Sequence, residues 1–150
     1  MRYLIGIGNY AMGDDGVGLR IVERIARQGL ATDFEPIDLS GSGYGLLSYF
    51  NEETEKILLV DAVLAGRTPG EHFFFGPEDV ETRKILSRIT THEGDLLQVI
   101  ELGKALSYPI PPIQIMGIEP ARVEPAMELS PLLAENLGRY VAAAIEAVRA

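Results

Sequence analysis

The first apolar block, Tyr3 to Ile7, is almost unbroken by polar residues, and the block Ile57 to Val60 repeats the habit. Runs of this kind suit strands covered on both faces, as in a parallel sheet between helix layers. Glu35 to Leu39 predicts a weaker strand, Gly70 to Phe75 a short aromatic one, and Ile113 to Ile118 the fifth. Between them the period changes. Val17, Ile21 and Ile25, with Val22 beside them, form one stripe, which predicts a helix from about Asp14 to Gln28 with Arg20, Glu23, Arg24 and Arg27 on its polar side. A shorter helix is predicted from near Tyr44, carrying Leu46, Leu47 and Phe50, and a third from near Thr91, carrying Leu96, Leu97 and Ile100. The last helix has the clearest start. Ser130 is its cap and Pro131 its first residue, and Leu133, Leu137, Tyr140, Val141, Ala144, Ile145 and Val148 make its apolar face. This alternation predicts an α/β protein, a three-layer sandwich with a five-stranded, mainly parallel twisted sheet between helices.

A chain of 150 residues fits one domain, residues 1–150, able to bury roughly 70% of its unfolded surface. The proline-rich stretches Tyr108 to Pro112 and Glu119 to Pro131 read as connections, because each joins elements that need a shared core. The formal charge of −9, with no run of Lys or Arg, offers nothing to hold a phosphate backbone, so nucleic acid is not an expected partner. The chain contains no cysteine, which excludes disulfides, thiolate metal sites and thiol nucleophiles. The N-terminus enters a strand at once and no apolar run is long enough to cross a bilayer, so the expectation is a cytoplasmic protein without membrane contact.

Candidate chemistry concentrates where the first strand turns into the first helix. The segment Gly6 to Gly18 carries Gly6, Gly8, Gly13, Gly16 and Gly18, which means tight turning and close backbone approach. Gly6-x-Gly8-x-x-Ala11 matches the dinucleotide fingerprint superficially. Asp14 and Asp15 stand where bare amides would meet a phosphate, and their charge would repel it, so no nucleotide is expected. The helix start can instead hold carboxylates ionised, and an ionised carboxylate is a hard oxygen ligand for a metal. Asp14 reads as a helix cap, Asp15 as a site residue, and Asn9 as a turn former. Asp61 follows Ile57-Leu58-Leu59-Val60 directly, at the carboxyl end of a strand, where open α/β sheets form their ligand crevice. It reads equally well as a loop acid in an Asx turn. His92 lies in Thr90-Thr91-His92-Glu93, whose capping-box spacing puts it in a first helical turn. There the dipole favours the neutral ring, which is the form that ligates metals, and a solvated first-turn histidine is the equal alternative. His72, beside three phenylalanines, reads as a sheet residue. Motifs for a zinc H-E-x-x-H pair, a serine-hydrolase elbow and a phosphate loop are absent.

Taken in order, Gly6-x-Gly8-Asn9, Gly13-Asp14-Asp15-Gly16-x-Gly18, Val60-Asp61-Ala62, Thr91-His92, Gly117-Ile118-Glu119-Pro120 and Leu129-Ser130-Pro131 resemble the hydrogenase maturation proteases of the nickel-iron hydrogenase system. The resemblance spans nearly the whole chain. It implies a five-stranded sheet between helices, with metal contact and catalysis falling on Asp15, Asp61 and His92. It implies as substrate the large-subunit precursor of a hydrogenase, whose C-terminal extension is removed once nickel is inserted, with the nickel carried by the substrate and cadmium or zinc as substitutes in vitro. It also implies a substrate-recognition loop at Ser40 to Gly45, so that Gly41, Ser42, Gly43 and Asn9 become candidate substrate-binding residues. Two departures stand out. Asp15 replaces the Glu of some relatives, one methylene shorter, and the loop reads Ser40-Gly41-Ser42-Gly43 in place of the commoner Asp-Gly-Gly-Thr. The rival expectations are a nucleotide-binding Rossmann-like module and a metal-dependent docking protein that holds the precursor without cutting it. The sequence leaves open whether the metal takes part in the cut or only marks the substrate.

Overall fold

The computed structural model describes residues 1–41, 43–80 and 95–150. Five strands form one sheet: β1 (Arg2–Ile7), β2 (Glu35–Leu39), β3 (Lys56–Ala62), β4 (His72–Phe75) and β5 (Ile113–Ile118). Their spatial order is β2-β1-β3-β5-β4, parallel throughout except for β4, which runs antiparallel to β5 at one edge. All five strands fall where the apolar runs predict them. The helices among the described residues are α1 (Val17–Arg27), α2 (Leu96–Ala105) and α3 (Pro131–Arg149).

The alternation of side chains along each strand makes two cores. Leu4 of β1, Leu58 and Val60 of β3, and Met116 and Ile118 of β5 face the side covered by α1 and α3, where they meet Val17, Ile21, Ile25, Leu133, Tyr140 and Val148. Ile5 and Ile7, Ile57 and Leu59, and Ile115 face the other side, against Leu46, Phe50, Leu96 and Val99. The central strands are thus buried on both faces, and that is why their sequences read as continuous apolar runs rather than as alternation.

Three elements differ from expectation at their starts. The first helix begins at Val17, not Asp14, because a 3-10 turn over Gly13–Gly16 precedes it. Gly43–Tyr49 forms a 3-10 segment in place of an α-helix and still buries Leu46. The helix carrying Leu96 and Ile100 begins at Leu96, because Asp95 is extended and its side chain accepts the Gln98 amide at 2.9 Å, as a capping residue does. The expected start at Thr91 and the Thr90–Glu93 capping box lie outside the described residues.

The strand order places a reversal between β1 and β3, since the chain leaves β1 toward β2 on one side and returns to β3 on the other. A reversal of this type opens a crevice beyond the carboxyl ends of the two strands.

Candidate active site

Two sequence-predicted acids come to that crevice. Asp61 is the sixth residue of β3, fully buried, paired in register with Gly117 of β5. By alternation its side chain shares a face with Ile57 and Leu59, the face on which α2 packs. Asp15 sits half-buried in the 3-10 turn that follows β1, and this turn packs against β3. The turn approaches closely because of glycine. A Cβ on Gly8, whose φ is +142°, would lie 2.0 Å from the Asp15 carbonyl oxygen, and one on Gly18 would lie 2.1 Å from that of Val60. The glycines that resemble a nucleotide fingerprint therefore serve backbone-to-backbone packing, seating the turn and α1 directly on β1 and β3.

The remaining predicted site residues divide. Asn9 is a turn former as predicted, its Oδ1 accepting the Ala11 amide at 2.9 Å. Gly41 is exposed with open space about it, and Gly43 starts the 3-10 segment. Ser42 and His92 lie outside the described residues, so of the predicted triad only Asp15 and Asp61 are located, on a turn and a strand that pack together. Among the described residues, no three acids or histidines gather as a metal site. His72 lies in edge strand β4, its ring edge-on to Phe74 and Tyr140, as a sheet residue should.

Asp14, read from sequence as a cap for its own helix, does something else. Its fully buried carboxylate accepts four hydrogen bonds from a distant segment: Oδ2 from the amides of Ala121 and Arg122, both at 2.9 Å, and from Ser130 Oγ at 2.8 Å, and Oδ1 from the Ser130 amide at 2.7 Å. A carboxylate can be buried at tolerable cost only with such a set of donors. Ser130 meanwhile caps α3, its Oγ accepting from Leu133 N at 3.4 Å.

Sequence reading passed over two further acids at the same edge. Glu119 follows β5 as Asp61 ends β3, and its buried Oε1 accepts the amides of Ala65 at 3.0 Å and Arg67 at 2.8 Å. Asp38, near the carboxyl end of β2, accepts the Tyr10 hydroxyl at 2.9 Å and the Ser40 amide at 3.0 Å, joining the turn after β1 to the glycine-rich loop. Burial first, then the hydrogen bond to Asp38, pushes the Tyr10 phenol up to about 12. The signal available for both was position, an acid at the carboxyl end of a strand, the same signal that marked Asp61.

Comparison with known proteins agrees with this architecture. The hydrogenase expression/formation protein HupD of Rhodobacter capsulatus is 29% identical over 149 residues, 98% of this chain and 70% of that one. The hydrogenase 2 maturation protease of Escherichia coli is 25% identical over 134 residues, 87% of this chain and 80% of that one. Among solved structures, the [NiFe] hydrogenase maturation protease HybD from Thermococcus kodakarensis superposes with a TM-score of 0.73 at 26% identity, covering 99% of both chains. Residues 19–147 match the model of the HycI hydrogenase maturation protease family, a span that includes Asp61 and begins just beyond Asp15. With that match over most of its length, the chain belongs to the hydrogenase maturation protease family.

Proposed function

We propose that this protein is an endopeptidase that removes the C-terminal extension of a nickel-iron hydrogenase large-subunit precursor after nickel insertion, with Asp15, Asp61 and His92 engaging the precursor's nickel. The observation that carries the reading is the packing of β3, which holds Asp61 near its carboxyl end, against the turn that bears Asp15, in a chain of this family. Relatives named as hydrogenase maturation proteases support the substrate class.

The donor set fits a metal presented by a partner. Two carboxylates are hard ligands, too few to hold a transition metal alone, and a neutral imidazole from His92 would supply a nitrogen donor suited to nickel. Positions then remain for ligands that arrive with the precursor. Asp15 and Asp61, with His92, would hold the precursor's nickel, whose positive charge would supply electrostatic attraction between the cleavage site and the two carboxylates. Asp61, buried at a strand end, keeps a fixed aim because its backbone pairs with Gly117 of β5 and follows directly on Val60, the last residue of β3 paired with β1. Asp15, half-exposed on its turn, is the carboxylate with room to reach the incoming chain and to take a proton from the attacking water. This reading assigns Gly41, Ser42, Gly43 and Asn9 to binding the precursor, and Asn9 immediately precedes Tyr10, whose hydroxyl donates to Asp38.

The protein also reads as cytoplasmic. No helix among the described residues is long and apolar enough to cross a membrane. The test is incubation with nickel-loaded and nickel-free large-subunit precursors, followed by intact-mass measurement. Loss of a C-terminal fragment from the loaded precursor alone is expected. Equal cutting of both would remove nickel recognition from the reading, and stable complex formation without mass loss would make the protein a holder of the precursor.

A further inference from the structure

The turn that carries Asp15 has little to hold it from within. Met12, its N-cap, makes no side-chain capping bond, and Gly16, the cap of α1, has no side chain to offer. The turn packs on β3, and the hydrogen bonds that fix Gly13 and Asp14 come from residues more than a hundred positions later. Besides the four hydrogen bonds to the Asp14 carboxylate, the Asp14 amide donates to Arg122 O at 2.9 Å and the Gly13 amide to Ala126 O at 2.8 Å, while the Ala126 amide donates back to Ala11 O at 3.0 Å. Met12 and Ala126 form a one-residue parallel bridge. The segment from Glu119 to Ser130 has no helix or strand of its own, so the carboxylate gives both partners their shape. At its far end Ser130 Oγ bonds Asp14 and the α3 amide of Leu133 at once, and at its near end Glu119 holds Ala65 and Arg67, just after Asp61.

We propose that Asp14 is a positioning residue for Asp15: its buried carboxylate clasps the segment between β5 and α3 and thereby aims the neighbouring carboxylate into the crevice. The proposal rests on the reading that Asp15 meets the precursor. Asn in place of Asp14 keeps the size but turns one acceptor into a donor. With Ser130 N on Oδ1 and three donors on Oδ2, either orientation of the amide opposes at least one donor with another. The turn is then free to shift, and Asp15 loses its aim without losing its chemistry. A shift of about 1 Å at a reacting group is enough to cost about 100-fold in rate.

The test compares Asp14→Asn and Ser130→Ala with wild type and with Arg2→Ala. Arg2 bonds Val148 O and Ala150 O at the opposite end of the sheet, and its removal controls for a general loss of stability. Hydrogen exchange of residues 12–16 and 121–126 is read together with kcat and KM on nickel-loaded precursor. Asp14→Asn should raise exchange in those two segments at least about tenfold, the equivalent of one lost hydrogen bond, with exchange in β1, β3 and β5 unchanged, and kcat should fall about 100-fold with KM little altered. Ser130→Ala, which keeps the carboxylate and three of its donors, should show the same pattern more weakly, and it carries the test if Asp14→Asn does not fold. Wild-type exchange in both variants would overturn the clasp, whatever the activity. Raised exchange with wild-type kcat, or an equal kcat loss in Arg2→Ala, would overturn the positioning role. If wild type cuts no precursor, the functional reading fails, and the exchange result still decides whether the clasp exists.

Discussion

The two ends of the sheet use charge in opposite ways. At the amino end, where β1 and β3 begin, the charges are cations and carboxylates at the surface. Arg2 donates to the carbonyls of Val148 at 2.8 Å and Ala150 at 2.7 Å, Lys56 donates to that of Ala147 at 2.6 Å, and Glu55 lies 3.4 Å from Arg2. These cations gather where α3 ends, complementing the negative end of its dipole. At the carboxyl end the buried charges among the described residues are acids, and Asp14, Asp61 and Glu119 are at most 4% exposed. Asp14 and Glu119 are each bonded to backbone amides of a segment distant in sequence. The amino end closes a helix with partly exposed cations that reach its last carbonyls. The carboxyl end bears the desolvation of carboxylates, a cost that folding alone would not select, and it fixes the loops around a crevice in return.

Breaking the carboxyl end should have the largest consequence in chemistry. Asp61→Ala is expected to lower the cleavage rate of nickel-loaded precursor by about 1000-fold, read by intact mass over time, while far-ultraviolet circular dichroism remains that of the wild type. Retained activity in a folded Asp61→Ala protein would place the chemistry elsewhere. Next in size comes Glu119→Leu, which strands the Ala65 and Arg67 amides. A loss of about 2 kcal/mol in urea unfolding is expected, and a loss below about 0.5 kcal/mol would erase the contrast between the two ends. Glu55→Ala removes a 65%-exposed partner of Arg2 and should cost under about 1 kcal/mol in the same assay, falling further in high salt.

The Tyr10–Asp38 hydrogen bond is an intermediate case, at the carboxyl end yet partly solvated, and gives the smallest effect. Because the folded phenol titrates above its ordinary value of 10, at about 12, the neutral form is the one that the fold favours. Its contribution is complete below pH 10 and disappears as pH rises through about 12. Absorbance at the phenolate band, taken as the difference between wild type and Tyr10→Phe, should show the late titration. Asp38→Asn should bring its midpoint down toward 10, and an unchanged midpoint would assign the whole shift to burial.

Much of this was legible from residues alone. The central strands β1, β3 and β5 were, because burial on both faces leaves an apolar run that no turn or surface helix imitates. So was α3, with Ser130 and Pro131 at its start. Asp61 was marked by its place after Val60, and Asp15 by the glycines about it, since local order along the chain also sets position at the sheet edge. Helix starts were less legible, because a cap acts through one local hydrogen bond: Asp95, which starts α2, carries no apolar signal.

Local sequence contains no trace of a partner 116 residues away. Asp14 looks like an ordinary first-turn acid, and only the folded chain brings Ser130 to it. The same holds for the antiparallel pairing of β4 with β5 and for the tie between Glu119 and the loop beyond Asp61. Periodicity records which side of an element meets the core, because burial acts residue by residue. Which loop a buried carboxylate will hold depends on where two distant stretches of backbone arrive, and that is settled when the layers close.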